Sequence, residues 1–408
     1  MHTKKHLSFS ELRKLISSRV NKFEDTRQES KVDYCLHDCC QSAFAMMVFQ
    51  DPSINAFQQR LQDIKQLNNL KTMFNVSAIP QSTQLRSAID NIPSTEIEFA
   101  FKDFFLPLQR GKQLEQYKFI NGKYLVASDG VQYFSSDKIS CNCCLTKTKK
   151  DETTYYHQVV AATIICPGIK QVIPLAPEPI QNIDGNTKQD CEINAGKRII
   201  KKINSTHPKL KIIITADSLY SKQPFIDQLK QNGMSFILVA KPTDHKLLYQ
   251  WFTEFHQMGE THKLEIKDYK GQRHFYEWVN GIALNGTKDA DNVNYFEYTM
   301  FKKAIKQLIT TAGQLIFQSR KTILSNWLKA AGQDGRLKTK HLILLKTRDI
   351  TLNTISVMGI NTCRIICCFS IFLLSLRTRS WNCRILYIRN AGPSSLPGRN
   401  TGTNCAAR

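Results

Sequence analysis

A mixed β-sheet with helices packed against it is the fold class this sequence predicts, and three observations predict it. First, from residue 123 onward the hydrophobic period changes to two. Residues 123–134, 153–166 and 170–175 become candidate strands, rich in β-branched and aromatic side chains and separated by turn signals such as Pro167-Gly168. Second, residues 211–216 form a continuous apolar run ending at Asp217, the pattern of a strand buried on both faces, and residues 236–240 read as one more strand. Third, these two strands alternate with helical segments, at 188–204 and 223–232. Asp190 and Glu192 fall in the first turn of the earlier helix, where acids suit the dipole.

Three meandering strands followed by helix, strand, helix, strand is the ribonuclease H-like order. Before it, residues 1–115 read as helical. Ser8 and Ser10 precede an apolar-periodic stretch as a capped helix start, and residues 38–49 are apolar and rich in Ala and Met. Residues 59–70 repeat apolar side chains at helical spacing, and Ile79-Pro80-Gln81-Ser82-Thr83 resembles the opening of the second helix of a helix-turn-helix. After the core, residues 263–269, 273–279 and 294–300 are strand-like, with Lys270-Gly271 and Asn285-Gly286 as turns. The expected organisation is a helical N-terminal region at 1–115, a core at 116–245, a β-rich insertion at 246–303 and a basic tail at 304–408.

The charge points to a polyanion. The chain carries 56 Lys and Arg against 34 Asp and Glu, a net +22, and nucleic acid is the commonest partner of such an excess. The excess is uneven. From Ala304 onward there are 16 Lys and Arg and two acids, Asp334 and Asp349, a net +14, and no Glu follows Glu297. The polar, basic N-terminus is not a secretory signal, so the 13 cysteines are expected in a reducing cytoplasm as thiols or metal ligands. The longest apolar run, 365–376, is too short to cross a bilayer, so no membrane partner is expected.

Two acids stand where chemistry is plausible. Asp129 lies within the first strand and Asp217 ends the fourth. In a ribonuclease H-like sheet these strands are neighbours, so the carboxylates would converge. Phosphodiester chemistry needs hard oxygen donors that hold two Mg²⁺ about 3.5–4 Å apart. A turn aspartate at Asp129-Gly130 and a helix cap at Asp217 are the plainer alternatives. Cys141, Cys143 and Cys144 with His157 are candidate zinc ligands, with Cys191 as a further one; C-x-C-C without a second matched pair leaves free or buried thiols as the favoured reading.

Several separate runs occur in the order found in one family. Ser128-Asp129-Gly130-Val131-Gln132-Tyr133-Phe134-Ser135-Ser136, Ile139-Ser140-Cys141-Asn142-Cys143-Cys144, Tyr155-Tyr156-His157-Gln158 and Pro174-Leu175-Ala176-Pro177-Glu178 resemble the insertion-sequence-four-like branch of the DDE transposases. So does Lys188-Gln189-Asp190-Cys191-Glu192 followed by Lys197-Arg198. The resemblance covers residues 35–300. It implies Mg²⁺-dependent cleavage at transposon ends and strand transfer into target DNA, in the nucleoid of a bacterial cytoplasm, with double-stranded DNA and a second copy of the chain as partners. It also implies that Asp129 and Asp217 are the first two metal ligands. The third would be a Glu in a segment like W-K-I-E-N-E-T-F after the β insertion, and this chain has no such segment.

A change of reading frame accounts for the gap. Back-translated with permitted codons and read one base earlier, residues 333–343 become G-W-K-I-E-N-E-T-F-N. The same shift turns 304–322 and 351–362 into segments of the family's type, and Lys302-Lys303 supplies the run of adenines where one base could be lost. The tail's charge is then an accident of frame, and the chain is expected to be catalytically defective. Programmed slippage at the same run is the alternative that keeps function. Two other readings stay open: a truncated DNA-binding inhibitor of transposition, and a ribonuclease H-like nuclease with no preference for a particular end.

Overall fold

The computed structural model describes residues 9–301 and 315–317, apart from residues 50, 52–53, 91, 93, 139, 141–143, 167–168, 182–188 and 268–272. Six helices come first: α1 (Phe9–Val20), α2 (Leu36–Phe49), α3 (Ile54–Arg60), α4 (Ile64–Phe74), α5 (Ser82–Asp90) and α6 (Ser94–Arg110). The stretch at 59–70, read as continuous helical spacing, is divided between α3 and α4. Asp63 takes extended backbone and accepts a bond from the Lys65 amide at 2.8 Å, so it starts a new helix as an N-cap. Asn75 closes α4 in the left-handed conformation. Residues 75–81 link α4 to α5, a longer connection than the turn of about three to four residues in a helix-turn-helix.

These helices share one core, with Cys39, Cys40, Phe44, Phe74 and Leu85 nearly inaccessible. Burial pushes the Cys39 thiol up to about 11 and Cys40 further, so neither ionises near neutrality. Asp38, also buried, accepts from the Ser77 and Ala78 amides at 3.0 and 2.8 Å and fixes the α4–α5 link to α2.

The sheet begins with β1 (Tyr124–Ser136), β2 (Leu145–Lys149), β3 (Glu152–Cys166), β4 (Ile169–Pro174) and β5 (Glu178–Ile180). There follow α7 (Glu192–Thr206), β6 (Ile212–Ala216), α8 (Gln223–Gln231) and β7 (Ser235–Val239). β3 pairs antiparallel with β1, β2, β4 and β5, whereas β6 runs parallel to both β1 and β7. The lateral order β4–β3–β1–β6–β7, with β3 antiparallel to the rest of the central strands, is the ribonuclease H-like mixed sheet expected from the element order.

Alternation along β1 sorts its side chains. Tyr124 and Val126 belong to the core that also takes in Ile199, Ile203, Phe225 and Ile226 from α7 and α8. Leu125 and Ala127 pack with Ile120, Ile165 and Ile213 on the other face. All five residues of β6 are buried, which is why its sequence is apolar without interruption.

Beyond β7 the chain forms α9 (Lys246–Gln257), β8 (His262–Lys267), β9 (Arg273–Ala283), β10 (Asn292–Phe301) and β11 (Leu315–Phe317). The three hairpin strands read from the sequence as an insertion are present. They join the core sheet, because β11 pairs with β10 on one side and β7 on the other. α9 opens this region with a helix the sequence reading did not include. Leu248 and Phe252 lie buried on one face of it, and Trp251 and Phe255 pack beside them. The rest of the 304–408 tail lies outside the described residues.

One packing contact carries a pH prediction. His207 ends α7 with its ring 4.3 Å from that of Phe105 on α6, and burial, helped by Lys102, lowers its pKa from 6.5 to about 4. Between those values only the unfolded chain takes the proton. Stability is therefore intact above pH 6.5 and falls by up to about 3 kcal/mol as pH drops toward 4. Denaturant unfolding of wild type and His207→Leu at pH 7 and 4.5 checks this: the variant is expected to lose less stability between the two, and equal losses would refute it.

Candidate active site

Asp129 and Asp217 are brought to the same edge of neighbouring strands. β1 and β6 run parallel with Ala127 opposite Thr215 as the last pair of their register, and each acid stands two residues further on. Asp129 continues along β1, paired with Ala161 of β3, and is half-buried. Asp217 leaves β6 exposed and caps the 3₁₀ turn Ser218–Tyr220, accepting from the Leu219 amide at 2.9 Å. The capping role weighed as the plainer alternative is therefore real for Asp217, and one of its oxygens serves it. For Asp129 the alternative of a turn is wrong, since Asp129-Gly130 lies inside a strand.

A third carboxylate stands beside these two. Glu192, half-buried at the start of α7, accepts through Oε1 from the Gly130 amide and the Tyr220 hydroxyl, both at 3.0 Å. Its Oε2 accepts from Gln158 Nε2 at 2.8 Å. Burial pushes the Glu192 pKa above the usual carboxylate range, and the charges of Asp129 and Asp217 push it the same way against the donors Tyr220 and Gly130. The Tyr220 phenol is pushed far up by burial and by the Glu192 charge, with Asp129 and Asp217 again contributing. From the sequence, Glu192 read as a dipole-suited acid and part of a family run, not as a member of the site. The signal that could have found it is its place in that run, since its contacts come from residues 62, 34 and 28 positions away.

The neighbouring acid, Asp190, does something else. Although burial opposes its charge, Arg198 and the Cys191 amide hold its pKa down, and Arg198 also binds Glu178 at 2.7 Å and the Pro179 carbonyl at 2.9 Å. It is an anchor between α7 and β5.

As donors, Asp129 and Asp217 suit Mg²⁺, a hard cation that takes carboxylate oxygens. In number they fall short. Among the described residues no three His, Cys, Asp or Glu side chains are placed to hold a metal ion together, and both Glu192 oxygens already accept bonds from protein groups. Of the candidate zinc ligands, Cys144 Sγ and His157 Nε2 meet at 3.4 Å in a buried position, while Cys141 lies outside the described residues. Among the described residues no helix is long and apolar enough to cross a membrane.

No protein-family model matches the chain, and no curated protein matches it. Among solved structures it is similar to a piggyBac transposase synaptic complex with hairpin DNA, with a TM-score of 0.40 and 12% identity over 92% of this chain and 76% of that one.

Proposed function

We propose that this chain is a DDE transposase of the insertion-sequence-four-like branch whose present frame lacks the third catalytic carboxylate. The observation that carries the reading is the placement of Asp129 and Asp217, each two residues beyond the last paired position of adjacent parallel strands. The ordered family runs at 128–136, 139–144, 155–158, 174–178 and 188–198 and the net charge of +22 support it. When bound, Mg²⁺ would activate the attacking water or 3′-hydroxyl and stabilise the leaving oxygen. Asp129 and Asp217 would hold the cation, and the excess of Lys and Arg would bind the phosphate backbone of transposon ends and target DNA.

The lack of a segment like W-K-I-E-N-E-T-F in the present frame favours a chain that binds DNA and does not cut it. The purified 408-residue chain is expected to shift transposon-end duplexes and to leave them uncleaved in Mg²⁺. Cleavage would sink the proposed defect. Cleavage of arbitrary duplexes or RNA–DNA hybrids, with no preference for ends, would replace transposition with a general nuclease. Abolished end binding on removal of residues 1–115 would fit a truncated inhibitor acting through the N-terminal helices. Rereading the gene between the codons of Asn294 and Thr362 tests the frame itself. An open frame one base back, encoding W-K-I-E-N-E, supports the reading, and one littered with stops ends it.

A further inference from the structure

We propose that Glu192 is a positioning residue, holding the ends of β1 and β6 in the relation that lets Asp129 and Asp217 share a divalent cation. The inference rests on the reading of those two aspartates as metal ligands.

Three elements meet at this one carboxylate. On the β1 side, the Gly130 amide that it accepts follows Asp129 directly in the chain. A Cβ at position 130 would lie 2.1 Å from Glu192 Oε2, so a larger residue there would have to push the carboxylate out of its present position. On the β6 side, Tyr220 ends the turn that Asp217 caps. Its hydroxyl reaches Glu192, and a Cβ at position 196 would lie 2.6 Å from its Cε1. Glu192 and Gly196 are four residues apart and so share one face of α7. Tyr220 lies along that face, its hydroxyl at Glu192 and its ring over Gly196, fully buried and against Phe225 at 4.9 Å. The third element is β3, whose Gln158 donates to Oε2.

The turn carrying Asp217 and the strand carrying Asp129 are thus fixed to the same oxygen atom. An acid that served only the helix dipole would not need three donors from distant segments. With both oxygens engaged by protein groups, Glu192 acts through the aspartates and not as a ligand. Groups that orient metal ligands in this way typically cost about 10–100-fold in metal affinity when lost.

The test is a luminescence titration of the full 408-residue chain with Tb³⁺, a hard, oxygen-seeking stand-in for Mg²⁺, on wild type, Asp129→Asn, Glu192→Gln and Tyr220→Phe, with thermal melts alongside. Asp129→Asn is expected to abolish the tightest Tb³⁺ site. Glu192→Gln is expected to weaken it by about 10–100-fold, and Tyr220→Phe, which keeps the ring packing, to weaken it to a smaller degree, both with melting temperatures near wild type. Wild-type affinity in Glu192→Gln and Tyr220→Phe, with the site lost in Asp129→Asn, overturns the positioning role and leaves the aspartate site standing. Loss in Glu192→Gln with no change in Tyr220→Phe makes Glu192 a direct ligand and overturns it too. Weakening that merely follows a lowered melting temperature assigns Glu192 a structural role and also overturns it. Wild-type affinity in Asp129→Asn overturns the aspartate site itself, and the positioning role with it.

Discussion

If the proposed frame is right, adding one base within the adenine run at the Lys302-Lys303 codons is expected to raise cleavage of transposon ends in Mg²⁺ by a factor on the order of a thousand or more. The magnitude follows from what a complete metal site contributes. Each ion stabilises developing charge by several kcal/mol, and each 1.4 kcal/mol is roughly a factor of ten in rate. Two aspartates cannot hold and orient two ions, and the restored frame would supply the missing carboxylate in W-K-I-E-N-E. The control lies in the same restored chain: Asp129→Asn or Asp217→Asn should return cleavage to background while end binding persists. Cleavage measured on labelled end duplexes decides it. A restored chain that folds, binds ends and does not cut would show that the third ligand was sought in the wrong place. A restored chain whose cutting survives Asp129→Asn would show that the aspartates were misassigned.

What the sequence made legible were features whose cause is local. β1 and β3 were visible as runs rich in β-branched and aromatic residues, and β6, like residues 159–165 of β3, because a strand covered on both sides has no reason to be polar. Their neighbourhood, and so the convergence of Asp129 and Asp217, followed from element order alone. β2 and β5 were missed because strands of five and three residues leave little periodicity to read. α9 was missed because its apolar residues were absorbed into a region read as hairpins, although Leu248, Phe252 and Phe255 fit helical spacing. The joining of β8–β10 to the core sheet could not be read at all, since it depends on β11 pairing with β7 across the 75 residues 240–314.

Glu192 belongs to the same class as that pairing. Its local sequence allowed a helix start and nothing more, and its contacts with Gly130, Gln158 and Tyr220 exist only once four separate segments have met. The glycines were the nearest thing to a clue. A glycine inside a strand interior or a helix weakens it unless something must approach closely, and both Gly130 and Gly196 face the same assembly.

Lys202→Met is expected to cost on the order of 3–5 kcal/mol of stability at neutral pH, the usual penalty for breaking a buried ion pair from one side. Lys202 lies on α7 and bonds Glu98 of α6 at 2.9 Å, Glu178 of β5 at 2.6 Å and the Pro177 carbonyl at 3.0 Å. The three side chains are 24, 16 and 11% exposed, too little for solvent to replace the lost partner. Methionine keeps most of the volume of the stem, so the loss reports the charge. Glu178 retains Arg198, whereas Glu98, already pushed above the usual carboxylate range by burial despite Lys202, would keep no cation among the contacts described. The sign of the pH dependence follows. With its folded pKa raised still further above the unfolded value, Glu98 disfavours the folded state wherever it must ionise. The variant should therefore recover stability as pH falls toward 5 and lose it as pH rises. Adding Glu98→Gln should restore much of the loss at pH 7, because the buried charge is then gone. Denaturant titrations of the single and double variants at pH 5 and 7 measure all of this. A single variant within about 1 kcal/mol of wild type would mean that the pair behaves as a screened surface contact. The stakes reach beyond stability, because Lys202 is one of the contacts between the N-terminal helices and the helix that carries Glu192.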